Sequence, residues 1–321
     1  MAYNPVAAAY LSLFTYIDDA LPVVHAGDFV TMLGKVPSGS ANGPWTLTWG
    51  PAVNQGTLLY VAQGQDKSYA LAFRGTNTDA NVDAWFQNVM EDIEVLPERW
   101  PSTGAGSWQV SMGTLRALSD ATTATDPSTG VPLLGYLRHL AAAGPVELIV
   151  TGHSLGGALA VAASAWLQSQ LGANSDVSIW PHTFAAPTAW NQAFATDFAT
   201  AFESYYAAAN TNDVVPMAWP DLTGVRATYP SPYPSLKVDA KGLYDVVVAA
   251  KDLIVGYASI AAGKPDRFAG SLATTGDWFA VAGAQHSMAQ QYFTHAVGPT
   301  VPEVPNTTNS GLAKPRSAAP T

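Results

Sequence analysis

The chain contains no cysteine and little charge: among 321 residues, Asp, Glu, Lys and Arg together make up 12%. The first absence excludes disulfides, thiolate-held metal and a cysteine nucleophile, and leaves the compartment unreadable from redox logic. Basic residues are scarce, 14 Lys and Arg against 24 Asp and Glu, giving a formal net charge of −10. So few cations cannot neutralise a phosphate backbone. This argues against nucleic acid and anionic membrane patches as partners and favours a neutral substrate. Long apolar runs are also missing. The longest late one, residues 246–262, is broken by Lys251 and Asp252 and is too short for a membrane span. The first 20 residues lack a basic n-region and meet Asp18 and Asp19 early, so they do not read as a secretory signal peptide. Low charge with abundant Ala, Thr, Ser and Trp still leans toward an extracellular protein.

What the chain has is apolar content, 48% of residues, enough for a large core. No Pro/Gly/Ser linker divides it. The reading is one domain over 1–298, with 221–285 as a cap or insertion and 299–321 as a disordered tail rich in Pro, Asn, Ser, Thr and Gly.

One stretch organises the rest. The run Val146-Glu-Leu-Ile-Val-Thr-Gly-His-Ser-Leu-Gly-Gly-Ala-Leu-Ala160 goes from a β-rich segment to an alanine-rich helix through Gly152-His-Ser-Leu-Gly156. In a G-x-S-x-G elbow the glycines permit a turn sharp enough to expose the serine hydroxyl, here that of Ser154. The helix beginning at Leu155 aims its first N–H groups at the place where an oxyanion would form. With 27 glycines, the bare pattern arises by chance in about one chain in six of this length. The strand before it and the helix after it therefore carry the weight.

Before the elbow, Tyr10, Leu13, Phe14 and Ile17 predict a helix with an apolar stripe over 3–20, followed by a Gly/Pro/Ser-rich connection over 30–51. Residues 57–63 and 68–73 read as a hairpin turning at Gly64-Gln-Asp66. The second strand ends in Arg74-Gly75-Thr76, where the Thr76 N–H is placed to be the second oxyanion donor; a plain strand-end turn is the simpler alternative. Residues 77–98 interleave Trp85, Phe86, Val89, Met90 and Ile93 with acids, as either a fixed packing helix or a mobile lid. Helices are expected over 107–118 and 133–143. After the elbow come a strand at 177–184, a helix at 188–202 and a strand at 205–209. Alternating strands and helices predict an α/β fold, a mostly parallel sheet flanked by helices with its site at the strands' C-terminal edge.

In this architecture an acid and then a histidine follow the serine. His182 lies too early and His295 in the last helical run, which leaves His286, read as sitting on a loop before a helix over 287–294. Asp213, in Asn210-Thr-Asn-Asp-Val-Val-Pro216, lies just past a strand, with Asp221 as fallback; an Asx-turn is the alternative role. Residues 229–234 read as extended and 241–262 as a helix.

With these residues assembled, the chain resembles the class 3, fungal-type lipases of the α/β-hydrolase fold. Ala72-Phe-Arg-Gly-Thr76 is similar to that family's oxyanion segment, Val150 to Ala160 to its elbow, and Phe184-Ala-Ala-Pro187 with Asn191 and Phe194 to its next strand. Asn210 to Pro216 and His286 with Tyr292 resemble its acid loop and histidine region. The resemblance implies Ser154, Asp213 and His286 as a catalytic triad and the N–H groups of Thr76 and Leu155 as an oxyanion hole. It also implies lipid or other neutral ester substrates, met at an oil–water interface, and no metal or cofactor. Ala185 and Trp190 stand where the family usually has glycine, and Ser111 where it often has histidine. Oligomeric state is not legible.

Overall fold

Strands apolar at nearly every position need cover on both faces, because side chains alternate across a sheet. The computed structural model shows such a sheet and describes residues 3–18, 21, 23–75, 96–101, 106–172, 176–217, 220–221, 224–225, 228–229, 256–260, 263–272 and 278–307. In chain order the elements are α1 (Pro5–Phe14), α2 (Ala26–Leu33), β1 (Thr46–Asn54), β2 (Thr57–Gln63), β3 (Tyr69–Phe73), β4 (Pro97–Arg99), β5 (Gln109–Ser111), α3 (Met112–Thr123) and α4 (Leu133–Ala143). Then follow β6 (Val146–His153), α5 (Leu155–Leu171), β7 (Val177–Phe184), α6 (Gln192–Ala201), β8 (Tyr206–Asn210), β9 (Lys264–Phe268), α7 (Trp278–His286), a π-helical turn over Met288–Phe293, and α8 (Thr294–Ala296).

The main sheet runs in the order β1-β2-β3-β6-β7-β8-β9. The β1-β2-β3 meander is antiparallel, and from β3 to β9 every pairing is parallel. Two apolar cores lie on its faces. Leu59, Val61, Leu71, Leu148 and Val150 point into one with α3 to α6; Leu58, Tyr60, Ala62, Ala70 and Ile149 point into the other with α1 and α2. The alternation within β2 and β6 makes the strands unreadable as half-exposed. The C-terminal ends of β3, β6 and β8 share one edge, which carries Gly75, Ser154 and Asp213 just beyond the strands. No described helix is long and apolar enough to cross a membrane.

Several expectations need correction. α1 is capped by Asn4, whose Oδ1 accepts from Ala7 N–H at 2.9 Å, and starts with Pro5. It is not striped: every residue from Ala7 to Phe14 is buried, enclosed by the sheet, α2 and the C-terminal elements. The expected connection over 30–51 holds the end of α2 and the start of β1. Gly50-Pro51 reads as a breaker, but β1 is an edge strand with a register shift between Trp49 and Ala52, where proline is tolerated. Helix α3 starts later than expected because Gln109–Ser111 pairs with Pro97–Arg99; residues 97–98 thus leave the amphipathic run, of which 77–95 lie outside the described residues. α6 likewise starts late, capped by Asn191.

His286 ends helix α7 rather than sitting on a loop. Residues 256–260 are not helical: Tyr257 bridges to Asn191 and Ala258 N–H donates to Trp190 O at 2.9 Å, while 241–255 lie outside the described residues, as do 230–234. Within the expected insertion over 221–285, Lys264–Phe268 forms β9. Pro265, Asp266 and Arg267 obscure it, yet charge and proline are usual on an edge. The tail expected to be disordered from 299 is ordered through 307. Val304 is buried, Asp18 N–H donates to Pro305 O at 3.2 Å, and Asn306 Nδ2 donates to Asp18 Oδ1 at 2.8 Å. Residues 308–321 lie outside the described residues.

The loop at 126–130 is tied to β1 by Asp126. Its Oδ2 accepts from Gly50 N–H at 2.7 Å, and its Oδ1 accepts from the N–H and hydroxyl groups of Ser128 and Thr129 at 2.6 to 3.0 Å. Burial pushes this carboxyl up, but those donors outweigh it and bring it down to about 2. A depressed acid contributes stability that is complete above its unfolded value and is lost as pH falls toward the folded one. Asp126→Asn should therefore cost about 2 kcal/mol at pH 7, with the gap to the parent closing between about pH 4 and pH 2 in urea unfolding. A gap independent of pH would contradict this account.

Candidate active site

Ser154 sits between β6 and α5 with φ +59° and ψ −132°, a conformation that a non-glycine residue holds only when its surroundings enforce it. The surroundings are close-packed main chain. A Cβ at Gly152 would run into the Gly156 carbonyl, and one at Gly156 would run into Phe73 O, at the end of β3. Ser154 N–H donates to Phe184 O at 2.9 Å, and Ser154 O accepts from Gly157 N–H at 2.8 Å. The elbow is thus pinned from β3, β7 and its own helix. Ala185, at a usual glycine position, takes φ +52°, held by its N–H bond to Ala208 O at 3.1 Å. Ser111 caps α3 by accepting from Thr114 N–H, and Trp190 stacks on Phe194.

The side chains expected to meet do so. His286 Nε2 lies 2.8 Å from Ser154 Oγ, and His286 Nδ1 lies 2.8 Å from Asp213 Oδ2. All three are buried, at 1 to 3% exposure, so these polar contacts form away from bulk water. Asp213 is positioned by the turn after β8, where its N–H donates to Asn210 O at 2.9 Å and its Oδ1 accepts from Val215 N–H at 2.9 Å. Asn210 Nδ2 donates to Gln285 O at 3.0 Å, which joins this turn to the last turn of α7 beside His286. Leu155 opens α5, so its N–H is one of the first-turn donors that no carbonyl of its own helix can reach. Thr76 lies outside the described residues, as do most of 77–98. Gly75, just before it, packs against the elbow: a Cβ there would stand 3.1 Å from Ser154 Cβ.

The other candidates are placed elsewhere. His182 accepts from Asn4 N–H at 3.2 Å and packs by Tyr3. His295 meets Asp266 at 2.9 Å and stacks on Phe268. Asp221 accepts from Gly224 N–H at 2.8 Å and is exposed. Asp18, His25 and Asp28 bring ligand atoms within 4.8 Å of one another in the segment around α2, outside this constellation.

Two further buried groups stood in quoted motifs but were given no role from sequence. Tyr292 O–H donates to Asp213 Oδ2 at 2.6 Å, and burial, then the Asp213 charge, push its phenol well above the usual range, so it stays a donor. His153 touches His286 from the other side. Burial first, then the neighbouring His286, push it well below the usual histidine range, which keeps it neutral. Its place beside the nucleophile was visible in the motif; its partners were not.

A strand, a hydroxyl on a strained turn and a helix aimed at it, at the C-terminal edge of a parallel sheet, define an α/β-hydrolase. Residues 70–222 match the model of the class 3 lipases, a span from β3 through the acid turn that stops short of His286. Over that span the chain is similar to the class 3 lipases, and with the fold this gives a lipase-like carboxylic ester hydrolase. Among solved structures, M37 lipase is 21% identical with a TM-score of 0.77 over 92% of both chains, a likeness of fold. A triacylglycerol lipase with a serine protease triad is 20% identical with a TM-score of 0.48, over 66% of this chain and 72% of that one. Rhizomucor miehei lipase with its propeptide is 19% identical with a TM-score of 0.47, over 68% and 62%. No curated protein matches the chain.

The Tyr292 hydroxyl leads to one prediction. Tyr292→Phe removes a donor from a buried carboxylate and should lower stability by about 1–3 kcal/mol, read as a fall in urea midpoint with unchanged slope. An unchanged midpoint would mean that Asp213 does not depend on it.

Proposed function

We propose that the chain is a serine carboxylester hydrolase, a triacylglycerol lipase that works through an acyl-enzyme. Ser154 is the nucleophile, His286 the general base and then acid, and Asp213 the carboxylate that holds the imidazole's tautomer. The observation that carries this reading is the continuous series Ser154 Oγ, His286 Nε2 and Nδ1, Asp213 Oδ2, with both links 2.8 Å long. Ser154 Oγ attacks the ester carbonyl carbon while its proton passes to His286 Nε2, and Asp213 stabilises the imidazolium. The carbonyl oxygen, now negative, is bound by the N–H groups of Leu155 and Thr76. Collapse breaks the bond to the alkoxy oxygen, which leaves as the alcohol with the proton from His286. A water activated by the same imidazole then releases the fatty acid. No metal or cofactor enters these steps.

Ser154→Ala should lower p-nitrophenyl ester turnover by at least about 10⁴-fold with the fold intact by circular dichroism. A phosphonate ester should add covalently to the parent and not to the variant. A variant as active as the parent would end the acyl-enzyme reading. Substrate class is read from rates on short and long acyl esters below and above their solubility limits. Turnover of emulsified long-chain triacylglycerol is the expected result. Saturation on dissolved short-chain, phospholipid or feruloyl esters without it would replace the lipase with an esterase on the same chemistry.

A further inference from the structure

His286 is held by more than its two side-chain partners. Its carbonyl, the last of α7, accepts from His153 Nε2–H at 2.8 Å, and the two rings lie 4.6 Å apart at 38°. Because His153 is neutral and its Nε2 carries the proton, its Nδ1 is an acceptor, and Tyr16 O–H donates to it at 2.7 Å. Both residues are buried, His153 at 1% and Tyr16 at 2% exposure. Tyr16 follows α1, 270 residues before His286 in the chain (286 − 16). Its hydroxyl also packs against the strand leading to Thr76, since a Cβ on Gly75 would stand 2.8 Å from it.

We propose that Tyr16 and His153 form a positioning pair for the general base: a chain of hydrogen bonds from the N-terminal segment, through the residue preceding the nucleophile, to the main chain of His286. This rests on the reading of His286 as the base. The physical need for it follows from where His286 sits. A helix end leaves its last carbonyls without partners inside the helix, so the buried His286 carbonyl needs a donor from elsewhere. His153 Nε2–H occupies that carbonyl, and Tyr16 fixes the tautomer that lets it donate. A displacement of about 1 Å in a reacting group costs about 10²-fold in rate, which sets the scale of what the pair protects. Its neutrality matters as well: a second cation 4.6 Å from the forming imidazolium would oppose the proton transfer.

The test compares His153→Leu, His153→Gln and Tyr16→Phe on a dissolved p-nitrophenyl ester at a temperature where each is folded by circular dichroism. His153→Leu keeps the apolar bulk and removes the donor; kcat should fall by about 10- to 100-fold with KM within about twofold. His153→Gln returns an N–H to the His286 carbonyl and should restore kcat to within about threefold of the parent. Tyr16→Phe should fall between them. A pair that merely fills space would leave kcat unchanged in all folded variants, or would treat Leu and Gln alike, and either result overturns the proposal. Should His153→Leu fail to fold, Tyr16→Phe decides, and a kcat within about twofold of the parent overturns the proposal. The two readings fail separately. A parent inert toward every ester refutes His286 as the base, whereas an active parent, a dead Ser154→Ala and an unaltered His153→Leu refute the positioning pair alone.

Discussion

The structure depends on how closely the first turn of α5 approaches the ends of β3 and β6. At Gly156 the helix main chain lies so near Phe73 O and the Arg74 main chain that no side chain fits between them, and Gly152 leaves the same lack of room under the turn. Only that approach lets the chain reverse within one residue, and the reversal puts Ser154 at φ +59° with its hydroxyl facing out of the sheet edge. Two apolar cores, one on each face, supply the packing that holds this strained residue in place.

Around the turn, polar groups are buried as a connected set rather than singly. Asp213 is served by Tyr292, the Val215 N–H and His286; His286 by Ser154 and His153; His153 by Tyr16. In a weakly screened interior each member needs its partner, because an orphaned polar group there costs about 1–3 kcal/mol. The set also draws on distant parts of the chain: the segment after α1, the elbow, the turn after β8 and the end of α7. Asn306 on Asp18 also ties residues near 306 to that same N-terminal segment.

Elements whose backbone demands are local were legible. The runs at 57–63, 133–143 and 177–184 were read with the observed bounds, because apolar periodicity and glycine or proline ends mark them. Elements whose character is set by position were not. β1 carries Gly50-Pro51 and β9 carries Pro265, Asp266 and Arg267, and both are strands because each lies at a sheet edge, where one side of the backbone needs no partner. α1 looked striped because a sequence cannot show that a second layer covers its outer face.

By itself, the sequence determined the elbow, since G-x-S-x-G between a β-rich run and an alanine-rich helix encodes a local turn whose glycines have only one use there. It also pointed to residues 213 and 286, with Asp221 in reserve, through the order in which this architecture places them. Only the tertiary structure decided that Tyr292 serves Asp213, and that Tyr16, 137 residues from His153 in the chain, sets that histidine's tautomer. These contacts join segments with no periodicity or spacing in common, and what creates them is burial: a polar atom removed from water bonds to whatever the packing of the sheet and helices brings within reach.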